Sequence, residues 1–84
     1  MERSLNLKRR PYTRFLDGCR PKPEALQEIL ASIALLARDP NHGYRILFVN
    51  PPIFQIRVGP YAVNYVFDDT TVTVLYLGII GRCP

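Results

Sequence analysis

The chain has 84 residues, of which 48% are hydrophobic and 21% are charged. This length fits one domain, and the apolar share supports a folded core, so wholesale disorder and a multidomain architecture are excluded. No apolar run reaches the ~20 residues that a transmembrane helix needs, and the N-terminal residues lack the apolar core of a signal peptide. We therefore expect a single domain, residues 1–84, in the cytoplasm.

The net charge of +4 is unevenly distributed along the chain. Residues 1–22 carry seven basic residues against two acidic ones, a net of +5, whereas the remainder carries four against five, a net of −1. A basic segment of this kind suggests a polyanionic partner, most often a nucleic acid, or an acidic protein. A solubilising segment without a specific role explains the same pattern equally well.

Cysteine and histidine usage argues against a metal site. Cys19 and Cys83 lie near opposite ends of the chain and could form a disulfide, but a cytoplasmic setting favours free thiols. The single histidine, His42, shows no ligand spacing with either cysteine. The sequence also lacks a Gly-rich phosphate loop and paired catalytic carboxylates. We expect no metal and no other cofactor.

The first twenty residues have no clear pattern. Alternating leucines are followed by an aromatic cluster that could form one helical turn, but Pro11 interrupts either pattern. We expect residues 1–20 to form a basic, weakly defined arm.

Residues 23–37 show the periodicity of an amphipathic helix, with apolar residues at positions 26, 29, 30, 33, 36 and 37. Pro23 suits the first helical turn, and Glu24 favours its positive end. The dipeptide Asp39-Pro40 ends the pattern, because a residue before proline avoids the helical region. This helix is expected to cover a sheet.

From Tyr44 onwards the apolar period changes to two, the period of β-strands. Four runs rich in β-branched and aromatic residues are separated by short turns: Tyr44–Val49, Ile53–Val58, Tyr61–Phe67 and Thr71–Gly78. The sequence thus predicts an α+β fold, an antiparallel β-meander covered by N-terminal helical structure.

The alternation separates two faces of the predicted sheet. Tyr61 and Tyr65 share one face, where packing in the core is favoured over stacking on RNA bases. Gln55, Arg57 and Asn64 fall on the other face, which we expect to be open to solvent.

Five short motifs occur in a fixed order after the helix: FQIRVG (54–59), YAVNY (61–65), an acidic turn (68–69), VTVL (72–75) and GR (81–82). Together with LLARDP at 35–40, they resemble the RelE/ParE superfamily of bacterial toxins. The resemblance extends from Pro23 to Arg82, about sixty residues of the chain. It implies the small α+β fold of these toxins.

The resemblance also implies partners and an activity. Members are neutralised by a co-expressed antitoxin, here expected to be small, acidic and partly disordered. RelE-type members bind the ribosome and cleave messenger RNA in its decoding site, where the nucleotide's own 2′-hydroxyl attacks the adjacent phosphate. No metal is needed, and basic side chains stabilise the charged transition state. ParE-type members keep the fold but act on DNA gyrase.

Transferring the pattern to this chain identifies Arg57 and Arg82 as the candidate catalytic residues. The basic position two residues before Arg57 is Gln55 here, and the position of a catalytic arginine after Tyr61 is Ala62. The candidate RNA-binding residues are Arg45, Gln55, Asn64, Lys8, Arg9 and Arg10.

These departures leave two hypotheses open. The first is a ribosome-dependent, metal-independent mRNA endoribonuclease that inhibits translation with an incomplete family active site. The second is a non-catalytic protein, either a ParE-like inhibitor of gyrase or a degenerate toxin that binds only its antitoxin. Ala62 and the absence of the family's tyrosine or histidine beyond the last strand favour the second.

Overall fold

The computed structural model describes residues 2–47 and 50–79, with the side chain of Leu47 excepted. These residues form two α-helices, one short 3-10 helix and five strands. In chain order they are β1 (Ser4–Leu7), α1 (Arg9–Cys19), α2 (Pro23–Leu36), the 3-10 helix (Pro40–His42), β2 (Tyr44–Leu47), β3 (Ile53–Val58), β4 (Tyr61–Phe67) and β5 (Thr71–Ile79). The predicted α+β class is confirmed.

The strands form one sheet with the order β1-β5-β4-β3-β2. Strands β2 to β5 pair antiparallel with their neighbours, which is the predicted meander. Strand β1 pairs in parallel with β5, so that Ser4 lies beside Thr71 and Leu7 beside Val74. The sheet is therefore mixed rather than purely antiparallel.

The expectation of a weakly defined arm is wrong for residues 4–19, which form β1 and α1. Pro11 is the third residue of α1, and the first helical turn tolerates proline because its N–H groups have no intrahelical acceptor. Phe15 anchors the helix, since it is 0% exposed and meets Tyr61 edge-on at a ring distance of 5.6 Å. Cys19 ends the helix and is disulfide-bonded, contrary to the expected free thiol.

Helix α2 follows its predicted stripe. Ile29, Ile33 and Leu36 are buried, and Leu26 and Leu30 pack partly buried against the same core. Both helices cover one face of the sheet, where the fully buried side chains are Tyr65, Phe15, Ile29, Leu36, Leu77, Val63, Val72 and Val74. No helix in the described ranges covers the opposite face.

The hydroxyl of Tyr65 joins the sheet to the segment after α2. It donates a hydrogen bond to the carbonyl oxygen of Pro40 and accepts one from the backbone N–H of Gly43 at 3.1 Å. Burial raises the pKa of Tyr65, so the hydroxyl stays protonated as a donor. The approach is close at Gly43, where a Cβ atom would lie 2.5 Å from the Tyr65 hydroxyl oxygen and 2.7 Å from the carbonyl oxygen of Gln55.

We predict that Tyr65→Phe lowers the free energy of unfolding by about 1–3 kcal/mol, because two backbone groups lose their partner in a buried setting. Urea unfolding followed by circular dichroism measures this loss. Tyr61→Phe is the matched control on the same strand, since the described contacts include no hydrogen bond from the Tyr61 hydroxyl. Equal losses in the two variants would contradict the role of the Tyr65 hydroxyl.

The turn between β4 and β5 is organised by one carboxylate. Oδ1 of Asp68 accepts the backbone N–H groups of Thr70 and Thr71, both at 2.8 Å, and the Thr70 hydroxyl at 3.1 Å. The hydrogen bond from the Thr70 N–H is the largest cause that lowers the pKa of Asp68, followed by that from Thr71. Asp68 is therefore a structural turn residue.

The lowered pKa predicts a contribution of Asp68 to stability that depends on pH. Because the folded-state pKa lies below the unfolded one, the contribution is present above the ordinary value of 3.8 and is lost as pH falls through the folded-state pKa. We expect Asp68→Asn to be less stable than the native chain near neutral pH and to lose less stability on acidification. Urea midpoints between neutral pH and about pH 3 test this, and Asp69→Asn, without that contact, should retain the native profile.

Candidate functional site

A row of polar side chains crosses the uncovered face of the sheet. The strand registers place Tyr44 beside Gln55, Gln55 beside Asn64, and Asn64 beside Tyr76. Cross-strand neighbours of this kind have Cβ atoms about 5 Å apart, close enough for direct side-chain contact. The row therefore spans four adjacent strands, from β2 to β5.

The first three members of the row form a hydrogen-bonded chain. The hydroxyl of Tyr44 donates to Oε1 of Gln55 at 2.9 Å, and Nε2 of Gln55 donates to Oδ1 of Asn64 at 2.8 Å. Arg57, two residues further along β3, donates a longer hydrogen bond from Nε to the same Oε1 at 3.5 Å. Gln55 is thus held from both sides.

Arg57 determines the direction of this chain. A guanidinium group only donates hydrogen bonds, so the atom of Gln55 that faces it must be the carbonyl oxygen. The amide nitrogen of Gln55 then faces Asn64, whose own oxygen accepts. The Asn64 NH₂ group is left without a protein acceptor in the described part of the chain. The row consequently presents a free donor.

The guanidinium of Arg57 is exposed and faces no carboxylate among the described residues. Its central carbon lies 5.9 Å from the ring centroid of Tyr44, and its terminal nitrogens have no acceptor among the described residues. None of the five strands contains an acidic residue. Within residues 2–47 and 50–79, the ion pair of the structure joins Arg38 to Glu2 at 3.2 Å, away from this face. The positive charge of Arg57 is thus available to an anion.

The position expected for a second arginine is filled by a small residue. Ala62 is the direct cross-strand neighbour of Arg57, and Gly78 is the neighbour of Ala62 on β5. Ala62 is only 2% exposed. Arg57 therefore lies directly across from the position where the toxin pattern has its arginine.

The structure does not bring Arg45 to this row. Arg45 pairs with Phe54 and lies on the opposite face of the sheet, with its guanidinium carbon 5.8 Å from the Phe54 ring centroid. The difference from Arg57 follows from the period of two, because Arg45 is one residue after Tyr44.

The basic N-terminal residues are only partly brought together with the row. Lys8, Arg9 and Arg10 are exposed at the start of α1, which packs on the covered face against β5. Arg10 also lines a cleft of about 200 Å³ whose other wall is the segment 75–77 of β5. This segment contains Tyr76, the last member of the row, so Arg10 is the one of the three that lies near it. Arg82 lies outside the described residues.

Tyr44 was not among the residues predicted for the site. Its place beside Gln55 depends on the register between β2 and β3, which is irregular between Arg45 and Leu47. Alternation along β2 predicts only that Tyr44 and Arg45 point to opposite faces. The sequence signal that could have identified Tyr44 is its aromatic character at the beginning of a strand.

The described residues form neither a metal site nor a membrane-spanning helix. They contain no group of three or more histidine, cysteine, aspartate or glutamate side chains that could hold a metal ion. No helix within them is long and apolar enough to cross a membrane.

The arrangement can bind an oxyanion. The terminal nitrogens of Arg57 and the NH₂ group of Asn64 have no acceptor within residues 2–47 and 50–79, and the strands of this face carry no acidic side chain. A guanidinium group matches phosphate oxygens with two parallel hydrogen bonds. Donors of this kind stabilise negative charge that develops on an oxyanion.

Comparison with known proteins shows similarity at the level of the fold. No family model matches the sequence, and no curated protein matches it significantly. Among solved structures, the chain is similar to the toxin–antitoxin complex RelBE2 from Mycobacterium tuberculosis, with a TM-score of 0.63 and 21% sequence identity. The match covers 94% of this chain and 92% of the other. The chain thus has the RelE-like fold that its strand motifs indicate.

Proposed function

We propose that the protein is the toxin of a toxin–antitoxin system and acts as a ribosome-dependent endoribonuclease on messenger RNA. The observation that carries the proposal is the exposed guanidinium of Arg57, which has no carboxylate partner in the described part of the chain and lies on a sheet face whose strands contain no acidic residue. The RelE-like fold supports it, because the similar structure is that of a toxin–antitoxin complex. Cleavage of translated messages would stop protein synthesis.

In this proposal the RNA supplies its own nucleophile. The 2′-hydroxyl of one nucleotide attacks the adjacent phosphorus and loses its proton to water. The bond to the 5′-oxygen of the next nucleotide breaks, and this oxygen takes up a proton from water, which leaves a 2′,3′-cyclic phosphate and a 5′-hydroxyl. Negative charge increases on the phosphate oxygens in the transition state, and the terminal nitrogens of Arg57 donate hydrogen bonds to them. Asn64 holds the RNA through its free NH₂ group, and Gln55 orients both residues. Arg82 is proposed as the second cation.

The basic N-terminal residues are proposed to serve binding rather than catalysis. Arg10 lies near the Tyr76 end of the row and would contact the RNA backbone there. Lys8 directly precedes α1 and Arg9 is its first residue, and both are exposed. There they would attract ribosomal RNA at long range. Arg45, on the other face, is left with this long-range role alone.

An antitoxin is the proposed protein partner. The similar structure is a complex of toxin and antitoxin, and residues 1–22 of this chain carry a net charge of +5. A small acidic antitoxin that orders on binding would complement this charge. Its binding would keep the toxin inactive until the antitoxin is degraded.

The second candidate function is a non-catalytic toxin or a degenerate one. The observation that favours it is Ala62, since the loss of one preorganised donor typically lowers a rate by roughly 100- to 1000-fold. In this case the open face would bind a protein target such as gyrase, or only the antitoxin.

We predict that induced expression of the protein without an antitoxin arrests translation and produces cuts within translated codons. Primer extension on a reporter transcript maps these cuts, and a transcript without a start codon should stay intact. Arg57→Ala should lower the cleavage rate by roughly 100- to 1000-fold, because the donor to the developing anion is lost. The double variant with Arg82→Ala should abolish the cuts.

The matched control is Arg38→Ala, which removes the same charge from an exposed ion pair remote from the open face. This variant should cleave like the native protein. Growth inhibition that persists unchanged in Arg57→Ala, with no cuts in any transcript, would contradict the nuclease and support the non-catalytic toxin. Circular dichroism of each variant checks that the fold is retained.

A further inference from the structure

We infer that Tyr44 is a positioning residue, which holds the guanidinium of Arg57 in place for an RNA phosphate. The inference rests on the proposed function and names a residue that the strand motifs do not include. Tyr44 makes two contacts with different parts of the site. Its ring lies under the guanidinium of Arg57 at 5.9 Å, and its hydroxyl donates to Gln55 at 2.9 Å.

The two contacts act on the same group by different routes. The ring face attracts the guanidinium directly through a cation–π interaction. The hydroxyl holds Oε1 of Gln55, and that oxygen accepts Nε–H of Arg57. Tyr44 thereby restrains the Nε atom of Arg57 through Gln55 and the face of its guanidinium group through the ring contact. The two terminal nitrogens of the guanidinium have no acceptor among the described residues and can donate to a ligand.

The exposure of Tyr44 is not explained by packing in the fold. Tyr44 is 47% exposed and does not belong to the hydrophobic core. A large aromatic side chain on an open, polar sheet face contributes little to packing, so its contacts with Gln55 and Arg57 are its main interactions. The position is therefore better explained by a role in the site than by a role in stability.

The positioning matters because Arg57 is the one arginine that the described strands direct to this face. With Ala62 beside it, no second strand arginine shares the binding of the phosphate. A long, flexible side chain loses rotamer entropy when it must be ordered for each turnover. Ordering in the free protein removes that loss beforehand and aligns the donors with the developing charge.

Tyr44 acts through Arg57 rather than on the RNA, since the donor of its hydroxyl is committed to Gln55. Two consequences can be measured separately. The first concerns the order of the Arg57 side chain and does not require activity. The second is a dependence of the Tyr44 effect on the presence of Arg57.

The first experiment measures the ¹⁵Nε–¹Hε order parameters of arginine side chains by NMR on the full chain. In the native protein, Arg57 should be well ordered compared with Arg14, which is exposed on α1 without a described partner. Tyr44→Leu should lower the order of Arg57 to the level of Arg14, and Tyr44→Phe should have a smaller effect because the ring remains. Leu35→Ala is the control, since Leu35 is also an exposed apolar residue, at 55%, but lies on α2.

The second experiment measures single-turnover cleavage of mRNA on programmed ribosomes with Tyr44 and Arg57 variants. Tyr44→Leu should lower the rate constant by roughly tenfold with unchanged affinity for the ribosome, as expected for a misplaced catalytic group. Tyr44→Phe should lose between about twofold and tenfold, the equivalent of one hydrogen bond. In the Arg57→Ala background, Tyr44→Leu should change the rate by less than about twofold, since coupled residues are not additive.

The outcomes separate the inference from the proposed function. An unchanged order of Arg57 in Tyr44→Leu, or an undiminished effect of this substitution in the Arg57→Ala background, would overturn the positioning role. If the native protein cleaves nothing, the proposed function fails, and the NMR comparison still decides whether Tyr44 orders Arg57. A loss of order of the Arg57 side chain in the Leu35→Ala control would show that the effect is not specific to Tyr44. This result would also overturn the inference.

Discussion

The burial of only one face of the sheet is the constraint on which the rest of this structure depends. Both helices pack on the side that carries Tyr65, Val63 and Leu77, and the period of two directs every second side chain of the meander to the other side. A chain of 84 residues has material for one such core. The other face is therefore free to carry polar groups, and the contact chain from Tyr44 to Asn64 exists because nothing in the described chain has to be packed over it.

The polarity of that row follows from a single side chain. Arg57 cannot accept a hydrogen bond, so it orients the Gln55 amide, which in turn orients Asn64. The face ends in donors, and strands without acidic residues leave those donors uncompensated. An oxyanion is the ligand that this arrangement complements, and the proposed phosphodiester substrate belongs to that class.

Periodicity and turn residues in the sequence predicted the elements whose formation depends on neighbouring residues. Helix α2 and the four meander strands follow from periodicity and turn residues, and the open face with Gln55, Arg57 and Asn64 follows from alternation. Strand β1 could not be predicted in this way, because Ser4 forms its strand only by pairing with Thr71 at the far end of the chain. The same applies to the site, where the partner of Gln55 across β2 depends on a register that contains an irregularity.

Position 62, which holds alanine where the toxin pattern has an arginine, shows how the site and the fold constrain one another. Ala62 is buried between Arg57 and Gly78 in the cross-strand row, so this position accepts a small side chain in the present packing. An arginine on β4 and an arginine on β3 at neighbouring positions would also repel each other in the absence of an anion. With alanine at position 62, the guanidinium of Arg57 lies over the ring of Tyr44 without a second arginine beside it on β4. A neutral residue at position 62 thus leaves Arg57 without a repelling charge on the neighbouring strand and in contact with the ring of Tyr44.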